Sequence, residues 1–472
     1  VRATSKRHHI IFGRRGSGKS SLLRKAGADL TIARSPIAYV NLEAFKFHSY
    51  PDVLVSVLID SFQRFDNWLE TAAINPSSKT TFWNKLFGTK PSRAPFNKST
   101  CSGLSVQLKD AVRELNELLH DADQLEIDKT TDNKTAASAK AEVKTSVTAL
   151  GGELSTSKGA LVKKKFISNK IDFLHRNIIK YQSFFDNLYA MANVDSFLFL
   201  DDLYQIRRSD QAQLVDYFHR IAKDHHLWLK IGTIRHRSQW YIPGNPPTGL
   251  KLGDDVDSID LDLTLERYNI AKGFLLKILD NFAKEFQLKS NDFLTDTAKD
   301  RLILASGGVA RDFLSVFRRS LEIAQQRLSG KAGKQSEKVS AEDVNIAAGE
   351  YEATKHEDFN NDARDDKGPL EQTYEEIKQF CFDKTKMNCF LIDKDDTGTL
   401  KVHVNELVDL KWLHYVKSRV TVRQKPGKIY EAYMLDLSQY VGSRARRGFG
   451  VVEFWNKKGE DELRKAGIIY LC

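Results

Sequence analysis

The chain has 472 residues, 41% hydrophobic and 28% charged, with a formal net charge of +10 and a pI near 9.1. That composition excludes a disordered or fibrous chain, and no uninterrupted apolar run reaches the roughly 18 residues of a membrane span. Four scattered cysteines, Cys101, Cys381, Cys389 and Cys472, lack C-x-x-C spacing. They argue against a disulfide framework or structural zinc, and for a reducing, cytoplasmic compartment.

The length suits about two to four domains. The first residue is Val1 rather than Met, so further native sequence is expected ahead of it. The basic balance suits a polyanionic partner without proving one.

The first half alternates strands and helices, the pattern of a parallel α/β sheet. Apolar strand candidates are His9–Phe12, Ile37–Leu42, Phe197–Leu200 and Leu227–Ile231. Asp52–Glu70 is expected to be a helix, with Val53, Val57, Leu58, Phe62, Phe65 and Leu69 at helical spacing.

Directly after the first strand comes GRRGSGKS, Gly13 to Ser20, which satisfies G-x-x-x-x-G-K-[ST] at every fixed position. Such a loop must turn tightly so that successive backbone N–H groups face one anion, which favours Gly13, Gly16 and Gly18. Lys19 then brings a positive charge to the outer phosphates, and Ser20 offers a hydroxyl to Mg²⁺. Arg14, Arg15, Ser17 and Ser21 complete the candidate nucleotide contacts, and the following helix adds its N-terminal dipole.

From about 80 to 165 the alternation stops, marking an insert. Leu104–Leu125 has helical spacing, and the Thr-, Ser- and Lys-rich tract after it is too poor in large apolar groups to fix itself in a core. A Gly151-Gly152 pair between polar arms predicts a hairpin. A helix over Lys165–Ala192 leads back to the sheet. Next, Phe197–Asp202 reads FLFLDD, a buried strand ending in two carboxylates at the sheet edge where α/β ligands bind. Asp201 suits the Mg²⁺ shell, and Asp202 suits orienting or deprotonating the attacking water.

Helices are expected over Glu266–Phe286, Asp296–Ala305, Arg311–Leu328 and Ser340–His356. A charged linker, 358–369, follows. The last domain, 370–472, is read as helix (Leu370–Lys384), strand (Phe390–Asp393), helix (His403–Val416), and a hairpin pairing Arg419–Arg423 with Ile429–Leu437. A final helix is expected near Asp461.

The ordered signals resemble AAA+-related ATPases, nearest to the origin-recognition initiator and STAND branches. They are the phosphate loop, the Asp-Asp strand, a strand ending in Thr233-Ile234-Arg235, and Gly307-Gly308-x-x-Arg311. The resemblance covers roughly Lys6 to Glu357. It implies a P-loop core over 1–265, a helical lid over 266–357 and a winged-helix-like domain over 370–472. It also implies ATP and Mg²⁺ as cofactors, a sensor role for Thr233 and Arg235, and a lid role for Arg311 beside the terminal phosphate. Ordinary readings stand beside these: a surface salt bridge for Arg235 and a helix-start arginine for Arg311. DDLYQIRRSDQ and LKIGTIRHRSQWY also resemble uncharacterised bacterial ATP-binding proteins.

Asp202 stands where many AAA+ members have Glu, so turnover is expected to be slow. Arg207, Arg208, Arg220 and Arg237 all remain candidates for an arginine acting on a neighbouring protomer. The resemblance implies a homo-oligomer, with double-stranded DNA or a separate effector protein as partner and no membrane. The basic hairpin tip (Arg423, Lys425, Lys428) and Arg444, Arg446 and Arg447 suit phosphate, whereas Glu406 and Asp409 on the preceding helix oppose it. An ATPase switch and an ATP-binding scaffold with little turnover both fit. DKDDTGTLKVHV resembles a calcium loop through Asp393, Asp395, Thr397 and Gly398, but position twelve is Val404 instead of an acid, so a turn is expected. His8-His9 and His225-His226 read as ordinary strand-edge histidines.

Overall fold

The apolar runs of the first half form strands, and their burial explains their composition. A computed structural model describes residues 2–72, 96–139, 151–329, 336–363, 367–442 and 448–470, with backbone alone for 121–139 and 151–168. The chain divides into two units. The first is Val1–Ile11, Ser20–Thr233 and Ser238–Ile259; the second is Phe12–Lys19, Ile234–Arg237 and Asp260–Cys472.

In chain order the first unit holds β1 (His9–Phe12, all but its last residue), α1 (Lys19–Ile32, all but its first), β2 (Ile37–Asn41), α2 (Asp52–Ala72), α3 (Lys98–Ala139) and α4 (Gly151–Ala192). Then come β3 (Ser196–Asp201), α5 (Arg208–Ala222), β4 (Leu227–Thr233), the short pair β5 (Tyr241–Ile242) and β6 (Thr248–Gly249), and β7 (Asp257–Asp260). The sheet runs β2-β3-β4-β1-β7. Parallel register joins Ile37 to Phe197 and Ser196 to Leu227. Every residue of β1 and β3 is buried, because helices cover both faces of a parallel sheet, and a continuous apolar run is what such a strand needs. The fold is α/β with a five-stranded parallel sheet.

α4 packs on α2 through edge-to-face aromatic pairs, Phe62 with Tyr181 and Phe65 with Phe185, and α3 joins α2 through the Ser105 hydroxyl on Asp66. The expected hairpin at Gly151-Gly152 is absent: those glycines open α4, whose later turns dock through Leu174, Tyr181, Phe185 and Leu188. A local turn signal loses to a helix anchored by its far end. The rest of the hairpin's first arm, 140–150, lies outside the described residues.

The second unit holds α6 (Tyr268–Ala283), α7 (Ser290–Phe293), α8 (Asp296–Ser306), α9 (Ala310–Ser329), α10 (Ala341–Ala363), α11 (Lys367–Gln379), β8 (Cys389–Asp393), α12 (Thr399–Asp409), β9 (Leu413–Thr421), β10 (Ile429–Leu435) and α13 (Lys457–Glu462). β8, β10 and β9 form an antiparallel sheet in that order, with β9 and β10 joined as a hairpin. One hydrophobic core runs from Leu302 and Phe313 through Phe359 to Trp412 and Tyr433. Trp412 stacks on Phe359 with ring centres 3.9 Å apart.

Two expectations change here. The tract read as a charged linker is helical through Ala363, and α11 begins at Lys367. Phe359 and Ala363, one helical turn apart, are buried, so the tract carries core anchors among its charges. The helix read as His403–Val416 ends at Asp409. Lys411 adopts φ 67° and breaks it, and Leu413–Val416 instead begin β9, with Leu413 opposite Leu435. The calcium-like segment turns from β8 into α12, with Asp393 accepting from Lys428 at 2.6 Å. Among the described residues no group of three or more His, Cys, Asp or Glu is placed to hold a metal ion, and no helix is long and apolar enough to cross a membrane.

Candidate phosphate-binding site

The loop after β1 takes the shape its glycines permit. Gly16 and Gly18 have φ of 90° and 99°, backbone that side chains rarely adopt. The Ser17 N–H donates to the Arg14 carbonyl at 3.1 Å and closes the turn. A Cβ on Gly16 would lie 2.8 Å from Arg311 Cβ, and one on Gly13 would lie 2.3 Å from Ser17 Oγ. Lys19 is buried, and its ammonium donates to the Gly13 carbonyl at 2.8 Å. The Ser17 hydroxyl is buried without a hydrogen-bond partner. A cation, an orphaned hydroxyl and amides turned by two left-handed glycines fit a phosphate group. Ser20, half-buried, and Ser21, exposed, stand in the first turn of α1, which carries no acid to oppose an anion.

The two loop arginines turn to carboxylates of the same unit. Arg14 Nε donates to Asp262 at 3.2 Å, and its Nη2 donates to the Leu263 carbonyl at 3.2 Å and the Gly307 carbonyl at 2.9 Å. Arg15 Nη1 reaches both Asp362 oxygens at 3.2 Å and Asp358 at 3.5 Å. Arg311, at the start of α9, donates its backbone N–H to the Gly16 carbonyl at 3.4 Å, while its side chain is exposed.

In the first unit, Asp201 is 1% exposed at the end of β3. It accepts from the Tyr39 hydroxyl at 2.5 Å and from the Asp202 N–H at 3.0 Å. Burial, followed by that hydrogen bond, pushes the Tyr39 phenol up to about 12. A Cβ on Gly232 of β4 would lie 2.5 Å from Asp201 Oδ1, so that glycine makes room for the carboxylate. A buried carboxylate with both oxygens oriented and lone pairs remaining is a donor suited to Mg²⁺.

Asp202 sits at φ 59°, ψ 46° and opens a 3-10 turn over Leu203–Gln205. Asp tolerates this left-handed backbone because its short side chain hydrogen-bonds locally. That is a physical reason for Asp where the family resemblance leads one to expect Glu.

Thr233 is fully buried and its hydroxyl pairs with Ser238. Arg235 lies 3.9 Å over the Phe12 ring and pairs with Asp260 at 3.2 Å. Of the four arginines considered for action in trans, Arg237 is held by Glu406 at 2.9 Å and by the Asp362 carbonyl. Arg207, Arg208 and Arg220 are exposed.

Sequence reasoning missed Tyr39, Asp262, Asp358 and Asp362. Strand register offers a signal for the first, since Tyr39 lies opposite Phe199, two residues before Asp201. The three acids carry no local signal, Asp262 and Asp362 being 248 and 347 positions from the arginines they hold and Asp358 lying one turn before Asp362.

No family model and no curated protein matches the chain. Solved structures similar to it include a RuvB mutant of Thermotoga maritima. That match has 13% identity and a TM-score of 0.23, and covers 43% of this chain and 56% of that one. Another is the Orc1 protein of Aeropyrum pernix in complex with DNA, at 14% identity and a TM-score of 0.30, covering 92% of this chain and 84% of that one. The chain thus spans little more than half the length of the first.

Proposed function

We propose that this chain is a Mg²⁺-dependent ATPase of AAA+/STAND type that works as a nucleotide-driven oligomeric switch. The observation that carries the reading is the phosphate loop, with Lys19, the orphaned Ser17 hydroxyl and two left-handed glycines in one eight-residue segment. Lys19 and the loop amides bind the β- and γ-phosphates, and the α1 N-terminus adds its dipole. Ser20 and Asp201 would hold Mg²⁺, which neutralises phosphate charge when bound. Asp202 orients the attacking water and takes its proton. Arg311 reports the terminal phosphate to the lid. Thr233, fixed by Ser238, is a positioning residue, and Arg235 serves chiefly to brace the end of β1.

Adenine is favoured because the sequence resembles ATPases. The cellular role best fitting the resemblance is bacterial DNA maintenance or defence, in the cytoplasm, through DNA or a separate effector. Glu406 and Asp409 on α12 are buried against Arg237 and His236, so that helix is a poor candidate for a groove. Arg419, Arg423 and Lys425 on the wing are exposed, and they supply the surface for duplex phosphates. Binding through them should weaken steeply as salt rises, whereas an apolar effector interface should not.

The test is ATP hydrolysis and nucleotide-dependent assembly by the purified chain, with and without duplex DNA. Neither activity in either condition would sink the proposal. The second reading, a scaffold that binds ATP and hardly turns it over, rests on Asp202 as the shorter acid. It wins if Lys19→Ala abolishes function and Asp202→Asn does not.

A further inference from the structure

A loop whose whole task is to present amides to phosphate has no use for two arginines committed elsewhere. Arg14 and Arg15 flank the turn, yet each is drawn to acids and carbonyls of the second unit. Arg14 leads to the lid turn, where the Gly307 carbonyl accepts its Nη2 at 2.9 Å. The His414 ring of β9 presses on the same glycine: a Cβ there would lie 2.1 Å from His414 Nδ1. His414 Nε2 is 2.7 Å from Asp436, just after β10. Asp436 in turn accepts at 2.5 Å from Lys355 of α10, whose ammonium also donates to the Ala305 carbonyl at 2.9 Å.

Arg15 leads to the same strand pair by a second route. Asp358 lies 3.5 Å both from Arg15 and from Lys411, the residue whose left-handed backbone starts the turn into β9. Lys411 is 3% exposed and lies 3.2 Å from the fully buried Asp312 of α9. Asp362, the other partner of Arg15, gives its carbonyl to Arg237, which is paired with Glu406 of α12. Arg15 therefore shares Asp358 with Lys411, and Asp362 joins it to Arg237 through the backbone carbonyl. Such a network responds as a unit, because removing one charge leaves its partner poorly compensated in a low-dielectric setting.

We propose that Arg14 and Arg15 are positioning residues that tie the shape of the phosphate loop to the β9–β10 wing, so that nucleotide affinity is set from the C-terminal domain. The inference rests on the phosphate-binding reading above and adds its regulation. By linkage, nucleotide must alter the wing as much as the wing alters nucleotide binding.

The experiment uses the full chain and a fluorescent ATP analogue with Mg²⁺. Arg15→Gln, Asp362→Asn and the pair are compared for analogue Kd and thermal midpoint. Each single variant should weaken binding about tenfold, within the usual range for coupled sites. The double variant should be no weaker than the worse single one. Hydrogen exchange of 413–435 should change on adding analogue to the wild type and stay unchanged in Arg15→Gln, a readout that a merely structural role would not move. If Arg15→Gln weakens binding while Asp362→Asn does not, Arg15 is a direct phosphate ligand and the proposal falls. It falls equally if 413–435 ignores nucleotide in the wild type. A wild type that binds no analogue ends the phosphate reading too, whereas binding without coupling ends only this one. Should a variant fail to fold, the charge exchange of Arg15→Asp with Asp362→Arg restores the pair and must restore affinity.

Discussion

The phosphate loop and the acidic end of β3 are both short segments at strand ends, and they are built in opposite ways. Asp201 and Asp202 are arranged locally: strand register brings Tyr39 to the first, and a left-handed backbone turns out the second. The loop, by contrast, is braced by Asp262, Gly307, Asp358 and Asp362, residues far along the chain. Within the loop itself the Lys19 ammonium donates to the Gly13 and Arg14 carbonyls, while Arg14 and Arg15 meet carboxylates. An arginine paired with a carboxylate has its charge largely met before any phosphate arrives. The contrast teaches that cation count in a phosphate motif overstates what phosphate can use.

The largest expected effect separates the two regions by kinetics. Asp202→Asn should lower the rate of ATP hydrolysis by about 10²- to 10⁴-fold, the usual contribution of a general base. Analogue affinity and thermal midpoint should hold, since Asn also accepts left-handed backbone. Equal loss of binding and turnover would place Asp202 in ligand binding instead. Lys19→Ala should cost about 100-fold in analogue affinity, the scale of one charged hydrogen bond. Its thermal midpoint should change less than its affinity, because the Gly13 and Arg14 carbonyls it contacts carry no net charge.

Arg14→Met should do the reverse, destabilising the second unit by about 2–3 kcal/mol, below the range for breaking a buried pair because Asp262 keeps some contact with water. Denaturant unfolding measures it, and an unchanged midpoint would remove Arg14 from the loop's bracing.

Acid tests the strand that delivers the loop. Burial holds His8 at about 3 and His9 at about 4, below the ordinary 6.5. Folded-state values that are depressed mean that stability is complete above pH 6.5 and is lost as pH falls toward 4 and then 3. Thermal midpoints across that window should drop, and the drop should be smaller in His8→Asn, which keeps an acceptor for the Leu229 N–H. The smallest effect is expected from Tyr39→Phe. Losing its hydrogen bond to Asp201 should cost about 1 kcal/mol of stability, seen as a lower thermal midpoint.

Much of the first unit was legible because its signals are local. Four apolar runs gave strands within one or two residues, and the spacing in α2 gave a helix at nearly its observed length. Long-range packing defeated the reading in three places. Gly151-Gly152 starts a helix, 357–363 continues one, and Leu413–Val416 pairs as a strand. In each, a partner distant in sequence outweighs the propensity of the segment. Of the candidate site, the loop and the Asp-Asp end stood out from residue order alone. Their supports did not, since Asp358 and Asp362 lie in the tract read as a charged linker and nothing local ties Asp262 to the loop. Lys230 makes the same point in the sheet. It sits fully buried in β4 with its ammonium on the Ser5 and Arg7 carbonyls, and burial lowers it to about 7.

The sequence by itself determined the α/β alternation and the GRRGSGKS loop with its two left-handed glycines, because backbone sterics and hydrophobic periodicity act within a few residues. It also determined the carboxylates at the end of β3. Only the tertiary structure decided which cations of the loop remain for phosphate. It likewise decided that α12 turns its acids inward, and that Arg15 and Lys411 meet at Asp358. Those outcomes depend on which carboxylate is brought within reach of which guanidinium, and electrostatic pairing follows distance in space, not position along the chain.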